Sequence, residues 1–479
     1  MLFNSFIFVG FFVVIYSLYL ALQKKHRAQN WLLLLASYGF YGYWDIRFLL
    51  LLMLSTGIDY IAGKNIDSAR GERSRRIWVS VSLCANLSIL GFFKYCNFFI
   101  ESFASLVEKI GFDGNISSLS IILPVGISFY TFQTLSYTLD IYRRQLKPVS
   151  SLLDFALFVS FFPQLVAGPI ERASTLLPQI TSPRTLNISQ INAGIYLILW
   201  GYFKKLVIAD NVAGLADEVF EDYLDLGGLD LWIGALAFAI QIYGDFSGYS
   251  DIARGISKLL GFDLIVNFKL PFFARNPSDF WARWHISLST WFRDYVYIPL
   301  GGNRHGTWNT YCNLMVTMTI CGLWHGAAWN FVLWGMFHGF LLIAHHAVRH
   351  SWTLNHWNSI WKELNFRLSG LLGLFSVLLT MSLTTAGWIF FRASSVSQII
   401  YMLSHLGLSI SEETWDLFSD LLFFSFPLLA MQLYQGITQD LLAVTKLNLG
   451  VRTLLYGLML AWIVLFSDRD SAEFIYFQF

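Results

Sequence analysis

Charge is what this sequence has least of. Of its 479 residues only 13% are Asp, Glu, Lys or Arg, and 56% are hydrophobic, whereas an ordinary soluble domain carries about 25% charged residues. The formal net charge is +1, so the basic footprint of a nucleic-acid-binding protein is absent. Cysteine is scarce as well. Cys84, Cys96, Cys312 and Cys321 form no CxxC pair and sit in or near apolar segments, which argues against a disulfide framework or a zinc site and reads them as buried small hydrophobes. No GxSxG elbow, Walker loop, GxGxxG or HExxH occurs, removing the usual hydrolase, nucleotide-binding and zincin readings; no metal is expected. Polar linkers are missing too. Length alone would suggest about three soluble domains, yet apolar segments recur along almost the whole chain, with no solenoid repeat and no low-complexity tract. One membrane-embedded unit over residues 1–479 is the expectation. The cationic flank that precedes a cleaved signal is also lacking: Lys24, Lys25 and Arg27 follow the apolar stretch 3–22, which is therefore read as a retained first span that starts outside.

What the chain has in abundance is apolar stretches. A spanning helix needs about 20 such residues, fewer where the bilayer thins. Candidates fall at 3–22, 31–44, 48–63, 77–93, 121–142, 152–168, 190–209, 231–250, 311–324, 327–347, 370–391, 422–438 and 450–466, giving an all-α polytopic protein with about 9–13 membrane helices. Basic residues favour cytoplasmic loops. The stretch 64–76 holds five basic and two acidic residues and is placed inside, with Arg143–Lys147 and 345–350. Asp45 and Arg47 then mark an outer turn. The last span runs from the basic Lys446 and Arg452 to the net acidic 467–470, so the tail Phe474-Ile475-Tyr476-Phe477-Gln478-Phe479 is expected on the outer side.

Residues 275–304 carry too many charges to cross lipid and too many aromatics for an ordinary loop. On one helix Asp279, Arg283, Ser287, Thr290 and Asp294 form a polar stripe, and Trp281, Trp284, Leu288, Trp291 and Tyr295 lie on other faces. Ser278 reads as the N-cap, Asp279 suits the first turn, and Asp279 and Arg283 are spaced to pair. Pro299 and Gly301-Gly302 end the helix. It either lies in the headgroup plane or re-enters the membrane along a polar cavity. His285 shares a face with Trp281, Leu288 and Phe292, toward the apolar interior, and needs a hydrogen-bond partner or a chemical role there.

Ten histidines occur. His26, His350, His356 and His405 lie in or near loops; His345 and His346 stand beside Arg349 at a helix end; His305 follows a glycine turn. His325 and His338 differ, because both lie within apolar runs, where ionisable groups are costly and usually mark function. Thirteen residues separate them, about 220° on a straight helix, so they share a site only if Gly326 or Gly335 breaks it. His325, flanked by Gly322 and Gly326, is the stronger catalytic candidate. Asp245 and Asp251, with Ser and Tyr between them, could form a cation site or proton relay. Their spacing, about 120° in angle, favours structural pairing with Arg254 or Arg275.

These pieces in this order resemble a family. Phe162–Arg172 (FPQLVAGPIER), Lys204-Lys205 with Ile208-Ala209-Asp210, the Asp245–Asp251 run, Asp279–Arg304 and Gly322–Ala327 (GLWHGA) are similar to the membrane-bound O-acyltransferases, in their bacterial alginate O-acetyltransferase-like branch. The resemblance covers most of the chain. It implies a ring of membrane helices, with re-entrant or interfacial helices, around a central tunnel. His325 matches the family's histidine and His285 its second polar position. Trp324, Asp245, Tyr249, Asp251, Arg283 and Asn303 are further tunnel or substrate candidates. Val266 stands where an acidic residue is common, and Ala282 replaces a frequent Arg.

The tail resembles an aromatic motif whose tyrosine, here Tyr476, is proposed to carry the acyl group; an interfacial aromatic anchor is the plainer reading. The implied activity is transfer of an acyl group, acetyl by expectation, from a cytoplasmic thioester across the bacterial inner membrane to an extracytoplasmic polysaccharide such as alginate. A periplasmic esterase-like (SGNH-type) transferase would be the partner, acetyl-CoA the donor substrate, and no cofactor would stay bound. Peptidoglycan O-acetylation and teichoic-acid D-alanylation are alternatives for the acceptor. A transporter is the non-enzymatic alternative, since it too would have many spans with ionisable groups inside.

Overall fold

In the computed structural model the described residues are 1, 3–111, 118–166, 168–354, 367–467 and 474–475. They are helical, with no strand among them. This follows from lipid as solvent, because a helix satisfies every backbone polar group within its own segment. The surface confirms the solvent. On the last helix, Leu449–Phe466, Val464 is 80% and Leu465 72% exposed, an arrangement that water would penalise and acyl chains accept. Eight helices among the described residues are long and apolar enough to cross a membrane, and Phe6–Ala21 is a shorter apolar one. The protein is a multi-pass membrane protein.

That is fewer than the thirteen apolar segments of the sequence, for local reasons. The segment 152–168 is not one span: a helix Leu152–Ser160 stops at Phe161 and a single turn, Phe162–Leu165, follows. The segments at 31–44 and 121–142 become His26–Gly42 and Ile127–Tyr142, only 17 and 16 residues long. Other elements run on further than their apolar runs, as in Gly228–Leu259 with 32 residues. The cysteines are free, but only Cys321 is buried; Cys84 and Cys312 are exposed. That corrects the reading of all four as core residues, since on a lipid-facing surface an apolar neighbourhood in sequence does not mean burial.

Two compact units are distinguished. The first comprises Met1–Trp200 and Tyr249–Ile265, the second Gly201–Gly248 and Val266–Phe479. Within the first, Asp59 is fully buried and is held by Ser82 Oγ and by Asn86 Nδ2 at 2.9–3.0 Å. These hydrogen bonds offset the cost of a carboxyl group among helices. Glu171, at the end of the FPQLVAGPIER stretch, is likewise fully buried and accepts the backbone N–H of Ile265 at 2.6 Å. Burial pushes its pKa up to about 8.

Within the second unit, helices Thr307–His325 and Trp329–Leu354 form a tight hairpin. Glycines let the backbones touch: a Cβ on Gly322 would lie 2.1 Å from the Phe331 carbonyl oxygen, and one on Gly335 2.3 Å from that of Met318. Small residues at such crossings take the place of the hydrophobic driving force that lipid removes. Gly335→Val should therefore cost about 1–3 kcal/mol through overpacking, read as a lower thermal unfolding midpoint in detergent. Gly373→Ala, where a Cβ meets nothing within 4 Å, should leave the midpoint unchanged; equal midpoints for the two variants would refute the close-packing account.

Candidate active site

The 275–304 segment is not one helix. Asn276, rather than Ser278, is the N-cap, its side chain accepting the Asp279 N–H at 2.9 Å, with Pro277 in the first turn where its missing N–H costs nothing. Helix Pro277–Arg283 then stops. Trp284 is extended, His285 adopts φ 43° and ψ 54°, and a second helix runs Ile286–Phe292 into a π-helical turn, Arg293–Tyr297. The single polar stripe does not exist, because the break rotates everything after it. A left-handed conformation costs a residue with a Cβ roughly 1–2 kcal/mol, and the neighbouring chain secures it here. Asn267 accepts the N–H of Ile286 through its backbone oxygen at 2.9 Å and that of Ser287 through its side chain at 3.2 Å, and Lys269 donates to the Arg283 carbonyl at 2.9 Å.

The kink swings His285 inward, where it is fully buried. Its ring meets Phe246 edge-on at 4.7 Å between centroids, Trp324 at 5.8 Å and His325 at 6.2 Å. Burial lowers its pKa to about 3, so the imidazole is neutral. His325 is the last residue of its helix, and Gly326, extended at φ −157° and ψ 151°, turns the chain into the hairpin. Sequence spacing made a shared site for His325 and His338 conditional on such a break, and the break is present. Both imidazoles pack on Trp334, at 4.9 and 4.8 Å, and Phe391 covers His325 at 5.4 Å. His338 also meets Trp281 at 5.2 Å. Among the described residues His338 Nε2 and the indole N–H groups of Trp281 and Trp334 have no hydrogen-bond partner. The result is two adjacent imidazoles in a buried aromatic cage with polar groups in its wall. Such a setting can move a proton and orient a carbonyl while excluding water.

The carboxylates separate. Asp245, 2% exposed, pairs with Lys205 Nζ at 2.9 Å, and Lys205 also reaches Asp210 at 2.8 Å. Neither Arg254 nor Arg275 is its partner, so that expectation is corrected for Asp245; Asp251 does pair with Arg254, at 2.8 Å in the first unit. Sequence spacing missed Lys205, because five residues to Asp210 do not share a face on an α-helix. They do here because Phe203–Ala209 is wound as a π-helix, with the Asp210 N–H donating to the Lys205 carbonyl. The other Asp245 oxygen accepts the backbone N–H of Ile475 at 2.7 Å, and Phe474 packs on Phe246, the ring that faces His285. The start of the tail is thus anchored beside the histidine pair. Tyr476 itself lies outside the described residues.

Of the remaining candidates, Trp324 lines the cage. Tyr249 belongs to the first unit, where it stacks on Phe3 at 4.9 Å and its hydroxyl accepts the Phe3 N–H at 3.3 Å. Arg283 pairs with Asp279 at 2.6 Å, as its spacing predicts, and Asn303 is exposed in the turn after the π-helical segment. No His, Cys, Asp or Glu cluster among the described residues could hold a metal.

Comparison with known proteins identifies the family. Residues 143–361 match the model of the membrane-bound O-acyltransferase family. A probable alginate O-acetylase of Pseudomonas aeruginosa is 39% identical over 420 residues, 87% of this chain and 76% of the relative. A peptidoglycan O-acetyltransferase of Helicobacter pylori is 36% identical over 84% of this chain and 79% of its own. A teichoic acid D-alanyltransferase of Streptococcus thermophilus is 30% identical over 48% of this chain and 59% of its own. The chain belongs to the membrane-bound O-acyltransferase family and is an O-acyltransferase.

Proposed function

We propose that the protein, acting as one unit in the bacterial inner membrane, moves an acetyl group from a cytoplasmic thioester toward the O-acetylation of an extracytoplasmic polysaccharide, alginate or a similar glycan. The observation that carries this reading is the buried pair His285 and His325, rings 6.2 Å apart, with the tail anchored alongside through Asp245. The acetyl end of the donor, acetyl-CoA, reaches the pair through the tunnel that the family resemblance implies. His325 takes the proton of the attacking hydroxyl, whose oxygen adds to the thioester carbonyl. His285 holds that carbonyl, and the C–S bond breaks as His325 returns the proton to the leaving thiolate. The products are an O-acetyl ester and the free thiol.

The hydroxyl is assigned to the Tyr476 phenol, one residue beyond the anchored Ile475. A periplasmic SGNH-type transferase then takes the acetyl group from the tail to the glycan. Glycan O-acetylation is favoured over D-alanylation because relatives named for the former match over 84–87% of the chain, and the one named for the latter over 48%.

His325→Ala should lower thioester cleavage about 10²–10⁴-fold, the ordinary contribution of a general base, measured as free CoA released by proteoliposomes; an unchanged rate would sink the mechanism. With labelled acetyl-CoA, the wild type should carry label on Tyr476 and Tyr476→Phe should carry none. Full glycan acetylation in cells by Tyr476→Phe would remove the relay while leaving the histidine chemistry in place.

A further inference from the structure

Three nitrogens in the wall of the cage are left unused by the chemistry above. The indole N–H groups of Trp281 and Trp334 and the Nε2 of His338 have no hydrogen-bond partner among the described residues, although Trp334 is 0%, His338 1% and Trp281 9% exposed. They form one cluster. Between ring centroids, Trp334 and His338 lie 4.8 Å apart, Trp281 and His338 5.2 Å, and Trp281 and Trp334 5.8 Å. A buried indole N–H ordinarily finds a partner, and each one that does not asks for an explanation. Packing does not supply it, because phenylalanine would fill much of the same space without a polar atom. The backbone also makes room for the imidazole: a Cβ on Gly387 would lie 3.0 Å from His338 Nε2.

The kind of ligand follows from the donors. An indole N–H can only donate, so the group that meets it must present an acceptor. Trp334 is the member of the cluster that reaches the reacting centre, its ring 4.9 Å from that of His325 and at 80° between planes. Acyl transfer creates an acceptor there. As the hydroxyl oxygen bonds to the thioester carbon, the π electrons of the carbonyl move onto its oxygen, and donors placed where that charge develops accelerate the step. His285 supplies one donor, and an oxyanion accepts more than one. A donor with no partner in the resting protein has no bond to break before it turns to that oxygen.

We propose that Trp334 is a further catalytic residue, its indole N–H donating to the carbonyl oxygen alongside His285 while the tetrahedral intermediate exists. The proposal rests on the thioester reading above and adds the group that stabilises the charge. That charge stays on the oxygen until the C=O bond re-forms, the C–S bond breaks and His325 returns the proton to the thiolate. Trp281 and His338 pack around the indole that does this.

The test uses the full chain in proteoliposomes and the variant Trp334→Phe, which keeps an aromatic ring beside His325 and deletes the N–H. Its kcat for release of CoA from acetyl-CoA should fall about 10²-fold, the scale of one lost oxyanion donor, with KM unchanged. Trifluoroacetonyl-CoA, a ketone that adds a hydroxyl and so mimics the tetrahedral intermediate, should inhibit the variant more weakly by a similar factor. Inhibition by free CoA should match the wild type, which also shows that the variant is folded. An unchanged kcat, or weakening shared equally by the ketone and CoA, would overturn the oxyanion role. A fall in kcat with the ketone inhibiting as before would trace the loss to packing and overturn it as well. In each of these cases a His325→Ala variant that loses thioester cleavage leaves the histidine mechanism standing. A wild type that cleaves no acetyl thioester would overturn the proposed function and this inference with it.

Discussion

The left-handed residue at His285 is the constraint from which the site follows. Inside a membrane protein a broken helix is tolerated only where its freed backbone groups find partners. Asn267 and Lys269 supply them, accepting from Ile286 and Ser287 and donating to Arg283. Were the helix continuous, His285 would follow the Trp281 and Leu288 face. The break lets it meet Phe246 and His325 instead. A second break, at Gly326, ends the helix on His325 and folds the next helix back so that Trp334, already one turn from His338, also packs on His325. At these two breaks the irregular backbone, usually the feature that lipid forbids, lies in the protein interior and brings the two imidazoles together.

Buried charge is handled differently at different places. Where a carboxyl stands alone among helices, as at Asp59, it is surrounded by hydroxyl and amide donors. Where a cation is buried, as at Lys205, two carboxylates meet it. Breaking such a buried pair leaves an uncompensated charge, a loss of about 3–5 kcal/mol, which explains why Asp245 can serve as a fixed post for the tail. Its second oxygen is free to accept the Ile475 N–H because Lys205 already secures the first.

The solvent-exposed apolar side chains of the outer helices, Val464 and Leu465 among them, also explain which readings of the sequence held. Composition marks a helix as lipid-compatible, so the helical class and most of the spans were legible. It does not say which side of an apolar residue meets lipid, so Cys84 and Cys312 were misread as core. His325 stood out because an ionisable group in an apolar run is costly, and His285 because its segment was neither span nor loop. Lys205 was invisible as a partner of Asp210, since the π-helical turn that aligns them leaves no periodic trace, and as a partner of Asp245, since that pair joins residues 40 apart in sequence.

The sequence by itself determined the solvent, the helical class and the family resemblance, and it marked the two histidines as candidates, because these depend on residue type and short-range order. The tertiary structure alone decided that Trp334 joins His325 to His338, that Lys205 is the partner of Asp245, and that the tail begins beside the pair. The physical reason is that these are contacts between residues far apart in sequence, and they are helped by departures from the α-helical period: a left-handed residue at His285, an extended glycine at Gly326 and a π-helical turn at Phe203–Ala209. At such points residues far apart in angle on a regular helix come together, and only contacts with the rest of the chain fix where these points fall.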